Sequence, residues 1–594
     1  MKYIKIFRMF VLITVVALVA AAPGGAAPAV ATTRVIVRGA SLESASGAVQ
    51  ACGGRVTDKI DIINAVVAEV PPANLGRLAR TAGVLGVMPD RTVKTVGNSF
   101  SPTATGNDNA TLEYAKVVGA DQVWANGNLG QGITVATLDT GFDPTFVGLR
   151  ATRGVSQDRH LAYYDAIANK TYESSRLLRS PRDPNGHGTH IAGIIGNSDK
   201  EGGHYVGIAP GVNFVSVRVL DETGMGTYAA VLRGLNWLVQ HKDQYNIRVL
   251  NMSMYATPVA PYWADPYNLA VMAAWKAGIV VIASAGNDGP EPLSVGVPGN
   301  TPYIITVGAL TDNYTPSDFG DDYMPPFSAA GPTLDAFVKP DVIAPGAHVS
   351  SLMRNSSYLA QHYPENKIRG HYFKMSGTSM SAAVVSGIAA LMLHEQPGLT
   401  PDQVKYRLSM TARPQFSEAT GEMAYSIWQQ GAGRVWAPEA VSTDIQGAAN
   451  QGMDIEADLA GTQHYEGWTD WNPETGEFEV RGDGYATWSG GYATWSGGYA
   501  SWSGGDTNWS GGYASWSGGY ASWSGGYASW SGGYPSWSGR YASWSGGYAS
   551  WSGGYASWSG NTESAAAAAA FVNLQNVPSA TAAIGINNWV EVTE

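Results

Sequence analysis

Cysteine is almost absent from this chain: Cys52 is the only one in 594 residues. One thiol cannot close an intrachain disulfide, so no disulfide framework is expected to hold the fold. Charge is also scarce, at 14% of residues against the ~25% usual in soluble domains. It is uneven as well: residues 1–112 carry 11 Lys/Arg and 6 Asp/Glu, and the remainder carries 25 and 42. An acidic remainder of that length lacks the basic surface on which phosphate binding depends, so nucleic acid is not an expected partner. Beyond the first residues no stretch comes near the ~20 uninterrupted apolar residues of a membrane span, and no transmembrane anchor is expected in the mature form. The chain is too long for a single core, which implies several domains.

The first residues read differently. Lys2, Lys5 and Arg8 precede an apolar run from Met9 to Ala22, followed by small residues and Ala29-Val30-Ala31. This is the pattern of a secretory signal peptide, assigned to residues 1–31, and its run is too short for an ordinary span. A secreted, extracellular protein is expected. Residues 32–96 form a small α+β unit, with an edge strand at Arg34–Arg38, a strand at Ile62–Val70, a helix at Pro72–Thr81 and a strand at Val84–Pro89.

Four motifs then follow in order: Asp139-Thr140-Gly141, His187-Gly188-Thr189-His190, Ser284–Gly289 and Gly377-Thr378-Ser379-Met380. Taken singly, these are a turn, a helix start, a loop and an N-cap. Their joint setting says more. Strands are expected at Ile133–Leu138, Phe214–Leu220, Val249–Met252, Ile279–Ala283 and Tyr303–Val307. Helices are expected at Thr189–Ile195, Tyr228–Val239, Pro266–Ala277, Ser379–Leu393 and Pro401–Thr411. Strands alternating with helices imply an α/β domain with a parallel sheet covered on both faces. Sites in such sheets gather at the carboxyl ends of the strands, where Asp139 and Asn287 fall.

The motif set resembles the subtilisin-like serine proteases, in which the triad runs Asp, His, Ser along the chain. Gly207–Gly211, Lys339–Gly346 and Gly431–Val435 look like framework of that family, and Val297-Pro298-Gly299 matches a segment that carries a cis proline there. The resemblance implies a parallel-sheet peptidase domain at 110–443 that hydrolyses polypeptides without a cofactor for catalysis. It implies Ser379 as nucleophile, His187 as base and then acid, and Asp139 as the carboxylate orienting His187. It implies Asn287 and the Ser379 backbone N–H as donors to the oxyanion. Gly224, Met225 and Gly226, with Ser253, Met254 and Tyr255, match the two segments that clamp a substrate strand. Ser284, Ala285, Gly286 and Gly296 complete the primary pocket, with Asp288 at its rim. Residues 32–96 resemble the inhibitory, fold-assisting propeptide of the family, and maturation is expected between Lys94 and about Asn109. A structural calcium ion is implied in the loop after the histidine helix, with Asn197, Asp199 and Glu201 as oxygen ligands; a solvated polar loop is the other reading. Two departures stand out. Tyr255 occupies a place usually held by Gly, which narrows the pocket, and Ser381–Val385 lacks the usual proline after the serine.

After a polar linker at 444–484, residues 485–561 contain eleven copies of Tyr-Ala-Ser-Trp-Ser-Gly-Gly with small variations, and a tail runs from 562 to 594. Paired glycines work against a helix. Five strand-compatible residues followed by Gly-Gly suit a chain of tight hairpins, and a low-complexity, unstructured tail is the other reading. Aligned aromatic faces suit stacking on the sugar rings of a polysaccharide or cell surface. The repeats therefore keep open a reading from another class: a surface-binding or adhesive protein whose protease domain serves only self-maturation or is inactive.

Overall fold

The computed structural model describes residues 31–95, 112–150, 158–416, 423–467, 469–474 and 477–480, and four short strands between 513 and 559. The leader, the stretch 96–111, most of the repeats and the tail 562–594 lie outside the described residues.

One sheet organises the peptidase region. Its strands run in the order Val342–Pro345, Ile305–Leu310, Val280–Ser284, Ile247–Met252, Thr134–Asp139, Asn213–Arg218, His160–Asp165 and Lys170–Glu173. All neighbours are parallel except the last pair. Strands covered on both faces read as unbroken apolar runs, and Thr134–Asp139, Val280–Ser284 and Ile305–Leu310 are buried at every position. The five expected strands are present with ends moved by one to three residues, and the expected helices are present. His160–Asp165, Lys170–Glu173 and Val342–Pro345 were not expected. The first two carry charged and polar residues that interrupt the apolar signal, and the third is only four residues long.

The helices pair. His187–Gly196 packs on Thr378–Glu395, and Tyr228–His241 packs on Pro266–Lys276. Thr378–Leu393 is buried throughout, which explains why its residues are small or aliphatic and why no polar stripe marks an outer face.

The 32–96 unit has a four-stranded antiparallel sheet in the order Arg55–Ile60, Ala65–Val70, Thr33–Gly39, Val84–Pro89. Arg34–Arg38 is therefore central, not an edge. Its consecutive Val35, Ile36 and Val37 are all buried because both faces are covered. Val35 and Val37 join Ala45 and Val49 of the unexpected helix Leu42–Ala51, whereas Ile36 joins the peptidase core. That helix is rich in Ser, Ala and Gly and carries a weak apolar pattern, but Ser41 and Ser44 close a capping box at its start. Ile62–Val70 is a strand only from Ala65, and Pro72–Thr81 is a short 3₁₀ turn followed by Leu75–Leu78.

Residues 444–480 are not a free linker. Within the helix Ile455–Ala460, Asp458 is fully buried and accepts hydrogen bonds from Tyr262 (2.6 Å) and Tyr303 (3.0 Å). Further on, Trp428 donates to Thr469 Oγ1 at 3.1 Å. Met453, Ile455, Leu459, Tyr465 and Phe478 also pack against the core, but they are spaced among polar residues without a period that would announce the docking. In the repeats, Tyr513–Ser517, Tyr527–Ser531, Tyr541–Ser545 and Tyr555–Ser559 pair in parallel with like residue against like. Hairpins would have paired them antiparallel. Identical units lay every residue beside its counterpart only in the parallel register.

Candidate active site

Asp139 is the last residue of the strand Thr134–Asp139, and its backbone carbonyl accepts from Val219 N–H (2.9 Å) and Leu220 N–H (3.3 Å). His187 is the first residue of its helix. The side chains meet: His187 Nδ1 lies 2.7 Å from Asp139 Oδ1 and 3.0 Å from Oδ2, both residues being buried. That bond directs the other ring nitrogen away from the carboxylate. The two backbones also abut. A Cβ on Gly188 would lie 2.2 Å from the carbonyl oxygen of Gly141, and one on Gly141 would lie 2.1 Å from the carbonyl oxygen of Arg182, so both motifs need their glycine.

The second half of the site forms at the start of Thr378–Glu395. Ser379 is the second residue of this helix, where backbone N–H groups lack intrahelical acceptors and the helix dipole is positive. Its Oγ donates to Ser253 O at 3.2 Å. Asn287 lies three residues past the strand Val280–Ser284. Its Oδ1 accepts from Thr378 N–H and Thr378 Oγ1–H, both at 3.0 Å. This fixes the amide, whose Nδ2 is buried and donates to no group among the described residues. The helices bearing His187 and Ser379 pack on each other, which brings the two halves to one end of the sheet.

One positioning residue escaped the sequence reading. Asp183 is buried between the Asp139 turn and the start of the His187 helix. Its Oδ1 accepts from Thr140 Oγ1–H and Gly186 N–H, both at 2.8 Å. Its Oδ2 accepts from Thr189 N–H and Thr189 Oγ1–H, both at 2.7 Å. It thus ties the aspartate turn to the histidine helix. Burial pushes its carboxyl above the usual range against the pull of these donors, and Asp139 adds to the rise. Its one sequence signal was an Asp-Pro pair just ahead of a helix start.

The two clamp segments flank a strand of the 32–96 unit. Thr92–Thr95 lies between Met225–Thr227 and Met254–Tyr255 and is antiparallel to both. Gly224 accepts from Thr95 N–H at 3.0 Å. Val93 is fully buried within the peptidase core cluster. Beside the strand, Ala285 and Ser284 are buried and Tyr255 turns its ring inward: a Cβ on Gly296 would lie 2.8 Å from Tyr255 Cδ2, and one on Gly286 3.7 Å from it. Burial raises the Tyr255 hydroxyl pKa first, and a hydrogen bond to Asp288 raises it further.

Asn197, Asp199 and Glu201 lie in the turn after the histidine helix, and a Cβ on Gly148 would meet both Asn197 Oδ1 (2.1 Å) and Asp199 Oδ2 (2.7 Å). Glu201 is exposed and pairs with Arg369 at 2.9 Å. Asn197 Oδ1 accepts from Asp199 N–H (3.0 Å), and its Nδ2 donates to Tyr372 (3.0 Å). Carbonyl groups around this turn converge on a buried guanidinium. Arg159 donates to Pro210 O (2.8 Å), Val212 O (2.9 Å), Gly148 O (2.5 Å) and Gly196 O (3.1 Å). Burial lowers its pKa to about 10, with Asp199 and Asp158 opposing, so it stays a cation at neutral pH.

The comparisons agree with this geometry. The model of the subtilase family, Peptidase_S8, matches residues 130–453, more than half of the chain. Serine protease AprX of Bacillus subtilis is 36% identical over 360 residues, covering 59% of this chain and 74% of the relative. Subtilisin DY of Bacillus licheniformis is 32% identical over 305 residues, covering 51% and 92% respectively. Among solved structures, fervidolysin from Fervidobacterium pennivorans, a keratinolytic enzyme related to subtilisin, matches with a TM-score of 0.55 at 21% identity. That match covers 72% of this chain and 63% of that one, and it shows likeness of fold. Among the described residues no helix is long and apolar enough to cross a membrane.

Proposed function

Because the chain belongs to the subtilase family of serine endopeptidases, we propose that it is a secreted enzyme, made as a zymogen, that cuts polypeptides through an acyl-enzyme. Ser379 Oγ attacks the scissile carbonyl as His187 takes its proton. Asp139 holds the imidazole and stabilises the imidazolium, and His187 then protonates the leaving amine. Asn287 Nδ2 and Ser379 N–H receive the oxyanion. The observation that carries this reading is the buried Asp139–His187 hydrogen bond, packed beside a serine at a helix start whose neighbouring amide is held with its donor end unused. The mature enzyme is expected to hydrolyse casein and to lose that activity to a serine-directed sulfonyl fluoride. Activity that persists after stoichiometric labelling would refute the assignment.

Selectivity follows from Tyr255. With its ring against Gly286 and Gly296, the pocket suits small or medium apolar side chains before the scissile bond. Tyr255→Gly is expected to raise kcat/KM for Phe or Tyr at that position, relative to Val, by about tenfold or more. Peptide-library profiling of the two enzymes checks this, and identical profiles would mean that the ring does not bound the pocket.

The repeats hold eleven Trp and ten Tyr with only Asp506 and Arg540 charged, a composition that favours a surface-attachment role alongside proteolysis. We propose that they stack on sugar rings of an insoluble polysaccharide. The full chain then sediments with such polymers, and a chain ending at Val480 does not; equal sedimentation of the two removes the proposal. A protein that only adheres would lack casein hydrolysis altogether.

A further inference from the structure

The match to the family model ends at residue 453, and the helix Ile455–Ala460 lies just past it. One side of this helix is fastened to the peptidase. Asp458 accepts from Tyr262 and Tyr303 and lies 2.7 Å from His464 Nδ1, and Glu456 pairs with Lys276 at 3.2 Å. Its carboxyl end meets the 32–96 unit. There Arg38, on the strand Thr33–Gly39, donates from Nη2 to the Leu459 carbonyl oxygen. The last carbonyls of a helix lack intrahelical donors. Here Gly461 N–H goes to Asp458 O and Thr462 N–H to Ala457 O, both at 3.0 Å, so the guanidinium serves a carbonyl that these turns pass over. A cation suits that end of a helix. Burial lowers the Arg38 pKa, and the Asp458 charge opposes the fall. The carboxylate that docks the helix therefore also draws Arg38 to it.

We propose that the helix Ile455–Ala460 is a docking surface for the 32–96 unit, fastened through Arg38, and that it slows release of the unit at maturation. The proposal rests on that unit being the inhibitor that maturation removes. The unit's other polar contacts lie on a different element, the helix Tyr228–His241. Asp58 pairs with Arg233 through bonds of 2.9 and 2.8 Å, Ile62 N–H donates to Asn236 Oδ1 at 3.3 Å, and Asp61 Oδ2 accepts from Gln240 at 2.9 Å. Arg38 thus adds a second point of attachment, on a segment outside the family match. Between the three parts lies a cleft of about 480 Å³, lined by Arg38, Ile62 and Ile63 of the unit, Lys276 of the peptidase and Leu459 of the helix. Apolar packing does not close this junction, so the guanidinium carries the link. Because the peptidase already holds the helix, the bond orders little that was free, and most of its strength is available to retain the unit.

The test uses the full chain in two forms. In the Ser379→Ala precursor, where the unit stays attached, hydrogen exchange of the strands Thr33–Gly39 and Ala65–Val70 reads how firmly the unit is seated. Arg38→Met keeps the unbranched stem but no donor, and is expected to speed this exchange about tenfold. Arg38→Lys keeps a cation and should stay near the parent. Asp458→Asn should also speed exchange, and should add nothing to Arg38→Met, because both act through one contact. In the active precursor, Arg38→Met should shorten the lag before casein hydrolysis by the same factor. The final kcat/KM should not change, because the mature chain is identical. Unaltered exchange or an unaltered lag in Arg38→Met overturns the proposal, as does an additive effect of Asp458→Asn. If Asp458→Asn fails to fold, the other pair decides: Arg38→Lys loosening the unit as much as Arg38→Met overturns it. A parent precursor that hydrolyses casein with no lag overturns the inhibitor reading instead, and exchange still decides whether the helix seats the unit.

Discussion

Replacing Ser379 by alanine is expected to stop both casein hydrolysis and removal of the 32–96 unit, with kcat falling by about 10⁶, the scale known from the same change in subtilisin. The loss is large because Ser379, His187 and Asp139 act as a unit: without the hydroxyl, the base has no proton to take and no acyl-enzyme forms. Stability should change little. The bond from Ser379 Oγ to Ser253 O is removed, a loss of about 1 kcal/mol, within a helix whose apolar packing is untouched. Precursor length on a gel and the melting temperature read the two effects separately. Substantial casein hydrolysis by a correctly folded Ser379→Ala protein would remove Ser379 from the mechanism.

Asn287→Ala is expected to lower kcat by about 10²–10³ with little change in KM, the loss recorded for the equivalent oxyanion donor of subtilisin. The donor acts only when negative charge develops on the carbonyl oxygen, so the ground-state complex is hardly affected. The amide also has a structural duty, since its Oδ1 receives Thr378 N–H and Thr378 Oγ1–H. Asn287→Asp separates the two duties: it keeps the acceptor but places a carboxylate where the oxyanion forms, and should be at least as slow as the alanine variant. Steady-state kinetics on one peptide substrate checks both. A raised KM with kcat unchanged would make Asn287 a substrate-binding residue.

Much of the fold was legible because its signals are local. Five apolar runs of strand length, four of them followed by a helical pattern, suffice to indicate a parallel sheet, and the boundaries moved by only a few residues. Elements lacking a local signal were missed or misread. The polar strands at the far edge of the sheet gave no apolar run. Leu42–Ala51 is held by a capping box and one buried face. Arg34–Arg38 was read as an edge because burial on both faces and exposure on one are hard to separate in five residues. Asp183 was invisible for a different reason: a buried carboxylate that organises four donors looks, in one dimension, like any aspartate before a proline.

The sequence by itself determined the chemistry on offer: a nucleophile, a base, a carboxylate and an amide, each in a glycine-rich motif whose backbone requirements are local. It also determined the parallel-sheet class and the placing of these groups at strand ends and helix starts. Only the tertiary structure decided which partners those groups meet. His187 reaches Asp139 across 48 positions, and Asn287 is fixed by Thr378 across 91. The same holds for the ring of Tyr255 against Gly296, for Arg159 among the carbonyls of Gly148, Gly196, Pro210 and Val212, for Asp458 docking a segment read as linker, and for Thr92–Thr95 lying in the clamp. Each of these is a contact between distant residues made by polar atoms or close backbone approach, and neither leaves a periodic trace in the order of side chains.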